Sequence, residues 1–189
     1  MLEAPFNNIT GITGFYQSLT SLTEVNLSNN PITEWSDVCR LSSILPNLKT
    51  LALNECSIKN IEFPKDDTSN MKEKSIESNA TWFPSLSMLQ ISSCKIDNWA
   101  SVEALNVLSL AHLKFKFNPI LETESRETCR QLTIAAIKSL TYLNGSYIEK
   151  QERRGAEIDF LKKYGKEYLS CMASKESIQI ESFMKNHPR

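Results

Sequence analysis

The chain of 189 residues is 41% hydrophobic and 23% charged, and its formal net charge is −1. A chain of this length can form one domain with a substantial core. The near-zero net charge gives no support for a nucleic-acid partner or a membrane surface, since either normally requires a basic excess. No run approaches the roughly 18 apolar residues that a membrane span requires.

The five cysteines are odd in number and scattered, with no CxxC pair among them. This distribution argues against a disulfide framework and for a reducing compartment. The N-terminus has neither the basic part nor the apolar part of a secretory signal. We therefore expect a cytoplasmic protein.

The first element that indicates the fold class is the segment 22–32, which follows the leucine-rich-repeat pattern LxxLxLxxNxL. Val25 and Leu27 alternate along a short predicted strand, so both side chains point into a core. Asn30, at the ninth position, can bond backbone groups that the turning chain would leave unpaired. One such unit cannot bury its own apolar face, so it must stack on similar units.

Three further segments follow the same pattern, beginning at Leu48, Leu86 and Leu110. Successive repeats start 26, 38 and 24 residues apart, and the outer two spacings lie within the roughly 20 to 29 residues of this class. A polar insertion over 62–79 accounts for the longer middle spacing, and we expect it to be a mobile loop. The helical spacing of apolar residues predicts one helix that ends at Pro46 and a second that covers about 99–108.

The last third of the chain changes character. A strong apolar stripe predicts a helix over 125–140, and a partial repeat follows it. A charged helix is expected from Glu149 to about Tyr168. On its inner face, Ala156, Phe160 and Tyr164 are joined by Leu161 and Tyr168. Its predicted outer face carries several charged residues: Glu152, Arg153, Arg154, Glu157, Lys162 and Lys163. A further short helix is expected within 176–189.

These elements together predict an α/β leucine-rich-repeat solenoid, with a curved parallel sheet and a C-terminal helical cap. Residues 1–148 are assigned to the repeats and 149–189 to the cap helix and tail. No catalytic, cofactor-binding or metal-binding residues are predicted, and so no enzyme. Cys56 and Cys94 occupy equivalent ninth positions, but a metal would need more ligands. We expect them to take the place of Asn in the interior of the solenoid.

Function is expected on the concave face, which we define as the repeat positions 3, 5 and 7 along the strands. This face changes from mildly acidic through neutral to basic, which suits another protein, and an acidic one in particular. The candidate partner-binding residues are Glu24, Asn26, Asn54, Gln90, His112, Lys114 and Lys116. The alternative is that they are ordinary solvated positions of the strands.

Four groups of residues that are more specific than the repeat pattern resemble one known family. They are Phe83–Leu86 with Ile96–Trp99, then Phe117–Ile120 followed by Arg126–Leu143 with Ile134–Ile137 in the middle, then 152–160, and last 183–189. All four are similar to the leucine-rich-repeat region of tubulin-folding cofactor E, also called tubulin-specific chaperone E. The match covers nearly the whole chain. Gly155 is a departure, since the family tends to continue its basic run there; we expect a weakened or kinked helix at this residue.

The resemblance implies a non-enzymatic chaperone module that binds α-tubulin. It further implies action with other tubulin-folding cofactors in assembling and disassembling the αβ-tubulin heterodimer, in the cytoplasm and in association with the cytoskeleton. The family has a CAP-Gly domain before the repeats and a ubiquitin-like domain after them, so the resemblance implies a truncated chain. The alternative is a general leucine-rich-repeat adaptor, such as a phosphatase regulator or a spliceosomal scaffold.

Overall fold

In the computed structural model, residues 1–13, 17–64 and 82–174 are described, with side chains as far as residue 165. Within them, seven short strands form one sheet, in which each strand pairs with the next along the chain. The strands are β1 (Leu2–Glu3), β2 (Glu24–Asn26), β3 (Thr50–Ala52), β4 (Met88–Gln90), β5 (His112–Lys114), β6 (Tyr142–Leu143) and β7 (Ser146–Tyr147). Pairing is parallel from β1 to β6, and only β6 with β7 is antiparallel.

The four predicted repeats pair in register. Glu24, Thr50, Met88 and His112, each at position 3, are aligned across β2 to β5. Positions 4 and 6 are at most 6% exposed in all four repeats and form part of one hydrophobic core. They comprise Val25, Leu27, Leu51, Leu53, Leu89, Ile91, Leu113 and Phe115. The α/β solenoid with a parallel sheet is therefore confirmed.

Helices lie between the strands, as the spacing predicts. They are α1 (Trp35–Ile44), α2 (Trp99–Ala104), α3 (Arg126–Ala136) and α4 (Lys150–Ser174). The helix predicted over 99–108 is split, because a 3-10 turn over Leu105–Val107 follows α2. The helix predicted over 125–140 ends four residues early. Ile137 is extended, with φ −117° and ψ 99°, which lets the chain turn towards β6.

The ninth residue of each repeat bonds backbone groups inside the solenoid. Asn30 Nδ2 donates to the carbonyls of Ala4 and Leu27, both at 2.9 Å, and its Oδ1 accepts the N–H of Asn7 at 2.9 Å. Asn118 Nδ2 likewise donates to the carbonyl of Ile91 at 2.9 Å. Each side chain therefore reaches back to the repeat before it.

Cys56 and Cys94 take the same place in the two middle repeats, as predicted. The Cys56 thiol donates to Leu27 O at 3.5 Å, and the Cys94 thiol to Leu53 O at 3.2 Å. Burial raises the pKa of Cys56, and it raises the pKa of Cys94 from 9.0 to about 12. Both thiols therefore stay protonated and act as hydrogen-bond donors.

Helix α4 covers the end of the solenoid by packing on α3. Ala156 and Tyr164 are buried there and Phe160 packs partly against the core, which confirms these three residues of the predicted inner stripe; the side chain of Tyr168 lies outside the described ones. Leu161 is instead 64% exposed, so its assignment to this stripe is wrong. One residue along a helix is a rotation of about 100°, which turns Leu161 away from the side that Phe160 presents.

Two residues predicted on the outer face of α4 bind the solenoid instead. Glu152 accepts two bonds from the Arg130 guanidinium, at 2.6 and 3.1 Å, and these bonds lower its pKa. Arg153 donates to carbonyls at and just beyond the C-terminal end of α3, where the last turn of a helix has no partners of its own for its carbonyls. The acceptors are Ile134, Ile137 and Leu140. Lys163 is exposed, as predicted for the outer face, and its ammonium forms a surface ion pair with Glu124 at 2.9 Å.

Two further expectations concern residues outside the described ones. The polar insertion predicted over 62–79 lies there except for its first three residues, and so does the helix expected within 176–189.

Helix α4 continues through Gly155 without interruption, so the expected break at this residue is not observed. A Cβ added at Gly155 would meet no atom within 4 Å.

Replacing Cys94 with Ser should make the protein less sensitive to alkali. A folded state that keeps a proton which the unfolded state releases becomes less stable as pH rises, here between 9.0 and about 12. As pH rises, the free energy of unfolding should fall more steeply in wild type than in the Cys94→Ser variant. The difference in slope is at most about 1.4 kcal/mol per pH unit for the one thiol removed. Urea titrations from about pH 7 to about pH 10.5 measure the difference. Parallel profiles would contradict the prediction.

Replacing Gly155 with Ala should stabilise the protein by about 0.5–1 kcal/mol, because Ala loses less backbone entropy in a helix interior. Gly145 is the matched control, since it also has open space around it but has φ +87°. Gly145→Ala should destabilise, because a Cβ is strained in that conformation. Thermal unfolding of both variants measures this, and a lower Tm for Gly155→Ala would refute it.

Candidate partner-binding face of the sheet

All seven candidate residues lie on the concave face or at its margin. Glu24 and Asn26 belong to β2, Gln90 to β4, and His112 and Lys114 to β5. The remaining two, Asn54 and Lys116, come two residues after β3 and β5. Because neighbouring strands pair in register, these side chains form rows across the sheet, from β2 to β5.

The first end of this face is acidic. Glu3 of β1 is aligned with Asn26, and Asn26 Nδ2 donates to Glu3 Oε2 at 2.6 Å. Glu3 and Glu24 border a shallow depression of about 180 Å³. Glu3 was not among the predicted residues, although it occupies position 5 of the partial repeat at the start of the chain. Extending the template to that partial repeat would have identified it.

Polar side chains in the middle of the face mainly bond the fold itself. Asn54 Oδ1 accepts the N–H of Ser92 at 3.0 Å, and the backbone N–H of Asn54 donates to Ser28 Oγ at 3.1 Å. Asn54 Nδ2 also lies 3.5 Å from Gln90 Oε1. Asn54 therefore links three neighbouring repeats, which leaves it less capacity to bond a partner.

The opposite end is basic and aromatic. Lys114 and Lys116 are exposed, and among the described residues neither forms an ion pair. His112 stacks on Tyr142 with ring centroids 4.6 Å apart and planes 6° apart. Tyr142 in turn meets Tyr147 edge-on at 5.3 Å. Unlike Asn54, these side chains remain available to a partner.

Sequence reasoning missed the two tyrosines. Tyr142 is position 3 of the partial repeat after α3 and pairs with His112, so the same template would have placed it on this face. Tyr147 reaches the face because β7 turns back antiparallel on β6, and no repeat position encodes that. The exposed fractions of 37% for Tyr142 and 49% for Tyr147 make them available for contact. Aromatic rings are enriched where proteins bind one another.

The described residues offer little for chemistry. The four cysteines with described side chains are buried, and burial raises the pKa of each thiol. No group of three or more His, Cys, Asp or Glu side chains that could hold a metal ion occurs in that part of the chain. In the same part, no helix is long and apolar enough to cross a bilayer.

The parallel sheet, its repeated core positions and its ladder of Asn and Cys define a leucine-rich-repeat protein. A chain in the crystal structure of the Drosophila melanogaster SNF/U2A' complex has the same fold. It matches with a TM-score of 0.64 over 89% of this chain and 85% of that one. The two sequences are 20% identical, so this likeness concerns the fold alone.

Within this class, the chain is related to tubulin-specific chaperone E, also named tubulin-folding cofactor E. It is 31% identical to the Xenopus laevis protein over 100% of this chain and 35% identical to that of Danio rerio over 97%. It is also 33% identical to the Arabidopsis thaliana protein over 77%. The chain spans 33%, 34% and 27% of these relatives, and no protein-family model matches it. The predicted resemblance is confirmed.

Truncating Asn54 to Ala should lower the free energy of unfolding by about 1–2 kcal/mol, because the N–H of Ser92 then loses its acceptor. Lys114→Ala removes an exposed side chain without an ion pair and should change stability by less than about 0.5 kcal/mol. Urea unfolding measures both variants. Equal effects would show that Asn54 and Lys114 do not differ in structural role.

Proposed function

We propose that the chain is a module of a tubulin-folding cofactor that binds α-tubulin through its concave face. The relatives in two vertebrates and a plant are named for chaperoning or folding tubulin. Their identity to this chain extends over most of its length, so the proposal concerns the repeats and cap together. It includes action with other tubulin-folding cofactors on the αβ heterodimer, in the cytoplasm and in association with the cytoskeleton.

The observation that carries this proposal is the uneven character of the concave face. Its acidic end and centre use much of their hydrogen-bonding capacity within the fold, as Asn26 and Asn54 illustrate. Its other end presents Lys114, Lys116 and Tyr142 without such commitments. A basic and aromatic patch of this kind favours an acidic protein surface and orients it along the sheet.

A scaffold of this kind would act by binding and positioning a partner, without covalent chemistry. The solenoid supports this role because its strands are fixed by the ladder and by one continuous core. Rigid presentation lowers the entropy cost of binding. We accordingly propose a non-enzymatic function. We also propose that the chain divides into the repeats, 1–148, and the cap helix with its tail, 149–189.

The test is binding of the chain to purified αβ-tubulin, comparing wild type with a Lys114→Glu, Lys116→Glu double variant. Reversing both charges should weaken binding about tenfold or more, and most strongly at low salt, where surface charges are least screened. Lys95→Glu is the matched control, since Lys95 is an exposed lysine at repeat position 10, outside the concave positions. Its effect should be small.

Each result is informative. No binding of wild type, or equal binding by the double variant, would refute the proposed role of this face. Equal weakening by Lys95→Glu would mean that net charge alone controls the interaction. Capture of a phosphatase or a ribonucleoprotein from extract, in place of tubulin, would support the general adaptor.

A further inference from the structure

A groove of about 510 Å³ lies beside the concave face, between the loop that follows β5 and helix α3. Phe117 and Leu121 supply apolar surface, and Lys116, Arg126 and Arg130 supply positive charge. Glu122 is the one acidic residue among those that line it. The groove is separate from the rows of strand side chains and shares only Lys116 with them.

Phe117 occupies this place at a conformational cost. It is position 8 of its repeat, where the backbone is left-handed in every full repeat, with φ between 55° and 58°. The other three repeats have Asn29, Glu55 and Ser93 there, all polar. A bulky aromatic residue is disfavoured in this conformation, and Phe117 is 79% exposed, so little burial offsets the strain. Strain of this kind is a reason to look for a function.

The backbone of Phe117 also differs from its counterparts. In the earlier repeats the N–H at position 8 donates to the carbonyl at position 7 of the next repeat, as from Ser93 to Lys116 at 2.7 Å. The pattern stops at Phe117, although the N–H of Phe115, at position 6, still bonds the next coil by donating to Asn144 Oδ1 at 2.7 Å. The N–H of Phe117 makes no hydrogen bond to any described residue. One backbone donor is therefore left over beside the groove.

The charges around the groove are partly committed and partly free. Arg130 is held by Glu152. Lys116 and Arg126 are exposed and form no ion pair within the described ranges. Two unpaired cations beside an aromatic ring suit one or two carboxylates next to an apolar side chain. Nucleic acid fits less well, because its affinity comes from summing contacts to many phosphates.

We propose that this groove binds an extended acidic segment of a partner protein, with an aromatic or large aliphatic side chain placed against Phe117. Carboxylates of the segment pair with Lys116 and Arg126, and one of its carbonyls accepts the unused N–H of Phe117. The volume suits a few side chains of an extended segment and not a folded domain. This inference goes beyond the proposed function, since it assigns a second surface and holds for any partner with such a segment.

The test uses a fluorescein-labelled peptide of glutamate and glycine with one central phenylalanine, titrated with the full chain and followed by anisotropy. Two matched peptides replace the phenylalanine with serine or the glutamates with glutamine. Wild type should bind the first peptide, and each matched peptide about tenfold more weakly. Arg126→Glu should weaken binding of the first peptide by a similar factor.

Phe117→Asn gives the sharpest result, because it should change stability and binding in opposite directions. Asn adopts the left-handed conformation more readily, so Tm should rise, whereas affinity for the peptide should fall about tenfold. Phe6→Asn is the control: Phe6 has φ 57° and is 75% exposed, but it lies at the other end of the solenoid. Its Tm should rise without loss of binding.

Three outcomes would overturn the inference. They are no binding of the peptide to wild type below about 1 mM, unchanged binding by Phe117→Asn, and equal loss in Phe6→Asn. The double variant of the tubulin test also changes Lys116, which lines the groove, so the single variant Lys114→Glu is the one that distinguishes the two surfaces, because Lys114 does not line the groove. A Lys114→Glu variant that loses tubulin but keeps the peptide would separate the two surfaces, and would support the groove as a site of its own.

Discussion

The structure depends on how each coil of the solenoid satisfies its backbone where the chain leaves a strand. Groups there are buried away from water, and an unpaired buried carbonyl or N–H is costly. The ninth residue of each repeat solves this by bonding carbonyls of the repeat before it, with an amide in Asn30 and Asn118 and a thiol in Cys56 and Cys94. Because each bond joins two repeats, the ladder fixes their spacing. It thereby sets the register of the strands, and with it the rows of side chains on the concave face.

The same constraint explains the cap. Each residue of the ladder donates to carbonyls of the repeat before its own. The carbonyls of the last coil therefore have no such donor, because helix α4, and not another full repeat, follows it. Here Asn144 bonds the backbone of Phe115, and Arg153 reaches from α4 to the carbonyls at the end of α3. A guanidinium can do this because it presents several donors in a fixed plane. At the C-terminal end, an arginine side chain thus makes the kind of hydrogen bond that asparagine side chains make inside the solenoid. The segment that contains this arginine is among those that resemble the cofactor E family.

Periodicity determined how much of this could be predicted. The repeats, their register and the ladder follow from residue types at fixed intervals, and all were predictable. Glu152 and Arg153 were placed on the wrong side of α4, because a stripe of apolar residues does not show which charged neighbours will find partners. Those partners, Arg130 and the end of α3, depend on where α3 stops, and α3 stops early because the chain must enter β6. Tyr147 was missed for a similar reason, since its position follows from an antiparallel turn outside the repeat.

The seven candidate residues therefore differ in what they can offer a partner. An interior repeat has neighbours on both sides, so its polar side chains are drawn into bonds across the sheet, as Asn54 is. The last full repeat is followed only by the short strand β6, which pairs with β5, and by the cap. The N–H of its position 8 residue, Phe117, makes no hydrogen bond to any described residue, and Lys114 and Lys116 form no ion pair within the described ranges. Because recognition needs uncommitted groups held on a rigid base, both proposed surfaces lie where the last full repeat meets the cap. The absence of a next full repeat, for which the cap compensates, also leaves these groups available.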